Sequence, residues 1–328
     1  MWDDFAKKYL GMTYPGHDLP LKERREAEKA WPKSRNTMKR EQIAINNFGR
    51  IIRPGWCHEI TAEHRELFIQ SRLPEVGSAL SVDAELRTLR LLCNIMKEWK
   101  HRSSNENPFA GRGKASVGNR RKRNMKQEKT PQAKHFARPQ IVAILNQADA
   151  EAAKEPTWEK KRLRVLIYFV AYTGARIKEA LHVEWDDIDL DEGIAWLFFK
   201  VENALKTEGS EAPFGLPDCL VAVLREWQKE RSCTWVFPNS VKKPWTSGAP
   251  GYRPFDQLQE IAKRAGVEHA NWKMFRHSFD THGKGHFGLT REQIKNQLRH
   301  STEETQKHYD HDDLQNLHEA VRNIDFRK

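Results

Sequence analysis

Lys273-Met-Phe-Arg276-His277 opens the most informative stretch of the chain, which continues through Leu298-Arg299-His300 and reaches a phenol at Tyr309. It collects cationic side chains, imidazoles and an aromatic hydroxyl in a short span. Such groups hydrogen-bond anions and transfer protons. Taken alone, the pattern fits a buried structural tyrosine equally well, and only the rest of the sequence separates the two interpretations.

Helix-start signals lie inside this stretch. The capping box, in which a hydroxyl residue and a Glu or Gln three positions later satisfy free backbone N–H groups, is matched by Thr290 with Gln293 and by Ser301 with Glu304. The spacing predicts a helix over about 290–298, a turn at Arg299-His300, and a second helix that carries Tyr309.

The composition predicts an anionic partner. The chain has 328 residues and a formal net charge of +11, and its pI is about 9.4. Basic residues far outnumber acidic ones between Arg102 and Lys134, with the densest run at Arg120-Arg121-Lys122-Arg123. Such a run binds nucleic acid or an acidic surface in some proteins and is a solvated linker in others, and both interpretations stay open.

The cysteine pattern is typical of a reduced intracellular protein. Cys57, Cys93, Cys219 and Cys233 are scattered without CxxC pairing, and Cys57-His58 lacks metal-ligand spacing, so no zinc site is expected. No apolar run is long enough to cross a bilayer and no signal-peptide pattern opens the chain, so no membrane partner is expected either.

Hydrophobic periodicity predicts a mainly α fold with a small β-sheet, divided into two domains. Residues 1–107 carry helical patterns that predict a bundle of four or five helices. Asn107-Pro108 ends the bundle, and residues 108–137 form an aperiodic basic stretch that indicates an interdomain linker. Residues 138–328 make up the second domain.

Strands are predicted only in the second domain, at Ile194–Lys200 and Ala212–Leu216 on either side of a turn. The predicted helices are apolar or amphipathic segments: Trp2–Leu10, Thr37–Ile52, a segment after Thr61, Ser81–Trp99, Pro139–Ala150, Trp158–Tyr172, Ile177–His182, Asp218–Trp227, Tyr252–Ala265 and Asp313–Ile324.

Four motifs lie along the chain in an order that a known family shares. The first is Tyr172-Thr-Gly-Ala-Arg176-Ile-Lys-Glu179-Ala-Leu181, with Trp185-Asp-Asp-Ile188 after it, and the second is Lys206-Thr207 between the predicted strands. The third is Lys273-Met-Phe-Arg276-His277-Ser-Phe279, and the fourth is Leu298-Arg299-His300 followed by Tyr309. Together they resemble the two arginine boxes, the hairpin lysine and the nucleophile segment of the tyrosine recombinases, the phage integrase family.

The resemblance implies a fold and an activity. The helical part would be the family's core-binding, SAM-like domain, and residues 138–328 its mixed α/β catalytic domain with a C-terminal helix. The implied enzyme cleaves and rejoins DNA strands through a 3′-phosphotyrosyl intermediate. Because the energy of the broken bond stays in the protein–DNA ester, neither ATP nor a metal is needed, and no cofactor is expected.

The resemblance assigns the phosphate clamp to Arg176 and Arg276 and the nucleophile to Tyr309. Attack on a phosphodiester builds negative charge on its non-bridging oxygens, which guanidinium groups bind with paired donors. Arg276 lies in an apolar helix start and Arg176 follows a tight turn. An unpaired guanidinium would be costly at either place, so a ligand is expected there.

The remaining catalytic candidates handle protons. Lys206 is expected to protonate the leaving 5′-oxygen, with Lys200 as the alternative. Lys273 and His300 are expected to hydrogen-bond the phosphate or to assist proton transfer. The phenol, whose ordinary pKa is about 10, needs such positive neighbours to react.

The sequence departs from the family pattern in three places. Lys273 stands where the family often has histidine, Arg299 stands where it usually has glycine, and Glu208 brings a negative charge near Lys206. A glycine before His300 would serve a left-handed helix end, so the geometry of this turn stays open. Glu179, one turn after Arg176, is expected to hold that arginine by a salt bridge.

The resemblance also implies partners. The chain is expected to act on double-stranded DNA as a homo-tetramer on two duplexes, in the cytoplasm and associated with the nucleoid. Its final helix would dock on a neighbouring protomer; the alternative is that this helix packs in its own domain. Two other functions stay open: a topoisomerase-like (type IB) strand relaxer, and a catalytically silent DNA-binding regulator on the same scaffold.

Overall fold

The computed structural model describes residues 1–103, 106–110, 135–197, 212–245, 254–299 and 311–328. Within these ranges the predicted mainly helical fold with a small sheet is confirmed. The chain divides into two compact units, Met1–Thr130 and Pro131–Lys328, each with its own apolar core.

The predicted linker contributes a residue to each core. Phe109 is buried in the first unit and Phe136 in the second. The basic run at 120–123 lies outside the described residues. The linker bounds at 108 and 137 therefore stay a prediction.

The described part of the first unit consists of helices and short turns. The helices are α1 (Trp2–Thr13), α2 (Leu21–Ala27), α3 (Arg35–Ile52), α4 (Ala62–Val76) and α5 (Ala79–Glu98). The sequence patterns predicted these helices except α2. Aromatic rings fill the core, where the Phe48 ring centroid lies 5.0 Å from that of Trp2 and 5.6 Å from that of Phe68.

The second unit is built around one apolar helix. Its described elements are α6 (Arg138–Lys154), α7 (Trp158–Thr173), α8 (Ile177–Ala180), β1 (Ile188–Asp189), β2 (Ile194–Leu197), β3 (Ala212–Gly215), α9 (Asp218–Gln228), α10 (Pro254–Arg264), α11 (Trp272–Gly285), α12 (Arg291–Gln297) and α13 (His311–Val321). The residues of α7 from Val165 to Thr173 are all buried. This helix packs against α6, α9 and α11, which explains why its second half is apolar on every side.

The strands form one antiparallel sheet in the order β1-β2-β3. In the register of β2 and β3, Ala195 pairs with Phe214 and Leu197 with Ala212. The predicted strand pair is confirmed, while residues 198–200 of the predicted first strand lie outside the described residues. The short strand β1 was not predicted.

The final helix lies on β3 of its own unit. Leu317 and Val321 of α13 are buried, as is Ile324 just beyond the helix end. In this single chain the apolar side of the helix therefore packs in its own domain, which was the alternative to docking on a neighbouring protomer.

No helix in the described ranges is long and apolar enough to span a bilayer.

Candidate active site

The turn between α7 and α8 sets the position of Arg176. Gly174 ends α7 with a φ of +64°. A Cβ atom there would lie 2.4 Å from Leu298 Cδ2, so a side chain would be strained by the backbone conformation and would push Leu298 aside. Thr173 supports the turn, since its Oγ1 donates to Phe169 O at 2.6 Å and accepts from Ala175 N at 3.2 Å.

Arg176 lies at the start of α8 and is held by a buried carboxylate. Its backbone N–H donates to Glu179 Oε2 at 2.9 Å and its Nη1 to Glu179 Oε1 at 2.5 Å, which confirms the expected salt bridge. The Arg176 side chain is 41% exposed, while that of Glu179 is 7% exposed. One end of the guanidinium is thus fixed while the rest faces solvent.

Glu179 has a second cationic partner, which keeps it ionised. Burial alone would raise its pKa, but Arg299 and Arg176 outweigh that effect and hold the pKa of the carboxyl below its usual range. Arg299 Nη2 donates to Glu179 Oε2 at 3.0 Å. The carboxylate therefore links two guanidinium groups from distant parts of the chain.

Arg276 connects the two ends of this arrangement. It projects from α11 into a buried position, where Nη1 donates to Gly174 O at 2.9 Å and Nη2 donates to Leu298 O. The side chain thereby ties the turn before Arg176 to the turn before Arg299.

These contacts correct the expectation that Arg176 and Arg276 would lack partners without a bound ligand. Arg276 has carbonyl partners and Arg176 has a carboxylate partner and solvent, so neither guanidinium is unpaired. Burial, with Arg299 and Arg176 nearby, lowers the pKa of Arg276 to about 9, and the group stays charged at neutral pH. Its closeness to those two arginines concentrates positive charge at one place.

Arg299 resolves the open question about its turn. Its φ is +51°, so this arginine adopts the left-handed conformation for which a glycine was expected. The side chain is turned inward and 1% exposed. Its guanidinium carbon lies 4.5 Å from the centroid of the Phe214 ring, and Nη1 donates to Gln297 O at 3.1 Å.

Lys273 lies on α11 one turn before Arg276, and its side chain is exposed. Burial and then the charge of Lys273 lower the pKa of His277, which lies one turn further on. His282 packs differently: its Nε2 lies 2.9 Å from Phe136 O.

The other predicted site residues are not described. Lys206 and its alternative Lys200, His300 and Tyr309 lie outside the described residues. The structure thus brings Arg176 and Arg276 together and places Lys273 on the helix of Arg276. In the ranges that it describes, no cluster of three or more His, Cys, Asp or Glu side chains could hold a metal ion.

Two contributors to the site were missed from the sequence. Arg299 was noted only as a departure from glycine, although an arginine directly after a capped helix and before a histidine was a signal. The Gln297 side chain pairs with the backbone of Gly215, accepting from its N–H at 3.0 Å and donating to its carbonyl at 2.8 Å. This contact fixes the end of α12 to β3, and nothing in the local sequence indicated it.

The sequence of this chain is similar to those of known proteins. The family model described as the phage integrase family matches residues 134–316, more than half of the 328 residues. Tyrosine recombinase XerC of Xanthomonas campestris pv. campestris (strain B100) is 32% identical over 162 residues, which cover 48% of this chain and 46% of that protein. The chain thus spans about half the length of the curated relatives it matches.

Solved structures resemble the fold over nearly the whole chain. A lambda integrase tetramer bound to a Holliday junction superposes with a TM-score of 0.61 at 14% identity, covering 94% of this chain and 79% of that one. The Tn1549 transposon integrase in complex with transposon right end DNA superposes with a TM-score of 0.63 at 14% identity, covering 95% and 96%. At such identities the likeness shows the fold alone, and it confirms the predicted helical bundle followed by a mixed α/β domain.

Proposed function

The chain belongs to the phage integrase family, and on this premise we propose that it is a site-specific DNA recombinase or integrase. It cleaves a DNA strand, holds it as a 3′-phosphotyrosyl ester and rejoins it to another strand. The XerC relative is named a tyrosine recombinase and supports this proposal over the matched part of the chain.

One observation carries the proposal. Arg276 is fixed by the carbonyl of Gly174, in the turn that positions Arg176, and by the carbonyl of Leu298, while Arg176 keeps much of its guanidinium in solvent. A fixed and an exposed guanidinium side by side suit the two non-bridging oxygens of one phosphodiester. Donors that are already in place when charge develops stabilise the transition state without further reorganisation.

The chemical step assigns the remaining residues. As Tyr309 Oη attacks the phosphorus, its phenol proton passes to His300 or to water. The bond from phosphorus to the 5′-oxygen breaks, and the leaving oxygen takes a proton from Lys206 or, alternatively, Lys200. Lys273 and His300 hydrogen-bond the phosphate or assist proton transfer. Religation is the reverse, with the 5′-hydroxyl of the second strand as nucleophile.

The proposed assembly is a homo-tetramer on two double-stranded DNA sites, as the lambda integrase neighbour is a tetramer on a Holliday junction. The surface of β2 and β3 on which α13 packs is the α13 seat. In this proposal α13 of one protomer occupies the seat of the next. The seat is glycine-lined: a Cβ at Gly193 would lie 2.5 Å from His318 Nε2, and one at Gly215 would lie 2.4 Å from Leu317 O. Every copy carries the same seat, so a helix that leaves its own domain finds an identical surface on its neighbour.

The test uses nicked duplexes of random sequence. When a nick lies beside the cleavage point, the short fragment that carries the released 5′-hydroxyl diffuses away, so religation cannot occur and the covalent complex is trapped. Protein–DNA adducts that survive detergent are expected with the wild type and absent with Tyr309→Phe, which lacks only the attacking oxygen. Adducts with neither protein, despite DNA binding, would favour the catalytically silent regulator.

A second measurement separates recombinase from strand relaxer. Duplexes recovered from the trapped adducts are rebuilt without the nick, in two lengths with different labels. A recombinase joins strands from the two lengths, whereas a relaxer changes the linking number of a plasmid carrying the site and yields no joined products.

A further inference from the structure

Arg299, the second residue after α12, carries a guanidinium to which the proposed chemistry gives no task. Arg299 lies between the Arg276-bound carbonyl of Leu298 and His300, yet its side chain points inward to Glu179 rather than toward solvent. Its Nε is buried with no hydrogen-bond partner in the described part of the chain.

Placing an arginine here is unfavourable in two ways. A side chain other than glycine in the left-handed region costs about 1–2 kcal/mol, and Arg299 has a φ of +51°. A buried charge must also give up its hydration, and well-packed apolar side chains of similar volume are often no less stable than a buried ion pair. Two costs at one residue beside an active site indicate a functional reason.

The shared carboxylate supplies that reason. Glu179 bonds Arg299 through Oε2 and the Arg176 guanidinium through Oε1. With Arg299 present, one negative charge is divided between two positive groups. Without it, Glu179 and Arg176 form a neutral pair, and the exposed guanidinium has less charge to offer an anion.

We propose that Arg299 is a positioning residue for the reaction: it takes up part of the Glu179 charge, so that Arg176 remains oriented and positively charged toward the DNA phosphate. The inference rests on the proposed function. It assigns a role to the position at which this chain departs from the family glycine.

The experiment measures single-turnover formation of the covalent adduct on nicked duplexes recovered with the wild-type protein. Arg299→Met keeps an unbranched, flexible side chain but removes the guanidinium and its charge, and cleavage is expected to slow by about tenfold to a hundredfold, as for other residues that orient a binding group. DNA affinity is expected to change by less than about threefold, because the exposed Arg176 remains. Arg299→Lys, which keeps the charge, is expected to be faster than Arg299→Met.

The decisive variant is the double substitution Arg299→Met with Glu179→Gln. It removes the buried pair as a unit, a change that proteins tolerate, so it remains informative if Arg299→Met folds poorly. The neutral amide still accepts a hydrogen bond from Arg176 but no longer neutralises it. Cleavage is therefore expected to be faster in the double variant than in Arg299→Met alone.

If Arg299 has only a structural role, a different result is expected. In that case the two substitutions add, and the double variant is as slow as Arg299→Met or slower, which would overturn the inference. Full cleavage activity of Arg299→Met would overturn it as well, while adducts of the wild type would leave the proposed function intact. Failure of the wild type to form any adduct would instead contradict the proposed function.

The pH profile gives an independent readout. Removing Arg299 is expected to raise the pKa of Glu179, which the two arginines now hold below its usual range. As the pH falls, protonation of Glu179 in Arg299→Met frees Arg176, so the ratio of variant to wild-type cleavage rate is expected to rise. A ratio that is flat or falls toward low pH would contradict the proposed charge sharing.

Discussion

Gly174 shows how one residue sets the geometry of the site. Its positive φ and the 2.4 Å approach of Leu298 Cδ2 to the position of a Cβ both disfavour a side chain. Its carbonyl receives the Arg276 hydrogen bond. The tight turn before Arg176 was predicted from the sequence, but its contact with Leu298 could not be, because the contact joins residues far apart in the chain.

Gly174→Ala is expected to destabilise the fold by about 2 kcal/mol or more, since backbone strain and a steric clash act together. Urea unfolding measures the change. The matched control is Gly285→Ala at the end of α11, where a Cβ would meet nothing within 4 Å. Equal stabilities of the two variants would contradict the steric argument.

Glu179 gives the site a defined dependence on pH. The folded-state pKa of its carboxyl lies below the unfolded value because Arg299 and Arg176 overcome the effect of burial. The stabilisation is therefore complete above the unfolded pKa of about 4.3 and is lost as the pH falls through the lower folded value.

Glu179→Gln is expected to lower the unfolding free energy by about 3 kcal/mol at neutral pH, because it leaves Arg299 buried without its counter-charge. Denaturant titrations between neutral and acidic pH should show that the gap in unfolding free energy between the variant and wild type closes as the wild-type carboxylate protonates. Glu155→Gln, which changes an exposed partner of Lys160, serves as the control and should show almost no gap. A gap for Glu179→Gln that is independent of pH would refute the ionic explanation.

At the scale of elements, the seat of α13 on the sheet shows what sequence patterns can and cannot provide. An apolar run was enough to predict β2, its return after a turn predicted β3, and helical periodicity predicted α13. The seat itself depends on Gly215, which has no side chain to create a pattern, and on Gln297, a polar residue that is 1% exposed. Long-range contacts of this kind carry no local signal.

Gly215→Ala is expected to push α13 off β3, because its Cβ would lie 2.4 Å from Leu317 O and 2.6 Å from a methyl group of Val321. Hydrogen exchange should become faster in α13 while that of α7 stays unchanged. Gly11→Ala in α1, where nothing lies within 4 Å of the added Cβ, is the control. Unchanged protection of α13 would show that the seat tolerates a side chain.

For the whole molecule, composition and motif order were sufficient to predict the fold class, the family and an anionic partner. The net charge of +11 concerns association rather than folding. Composition could not predict the arrangement of Arg299, Glu179 and Arg176, because it depends on two distant segments, the start of α8 and the turn after α12, meeting in space.

DNA affinity is expected to fall steeply with salt, by about a hundredfold or more between about 50 and 200 mM, because binding releases counterions from the phosphates. Fluorescence anisotropy with a labelled duplex measures the slope of log affinity against log salt. An affinity that stays constant over this range would contradict a phosphate-dominated interface.

The most direct test identifies the residue that is joined to DNA. The trapped adduct is digested with nuclease and trypsin, and the peptide that carries a residual nucleotide is sequenced by mass spectrometry. The nucleotide is predicted on Tyr309, linked through a 3′-phosphate. A nucleotide on any other residue, or a 5′-phosphate linkage at Tyr309, would contradict the account.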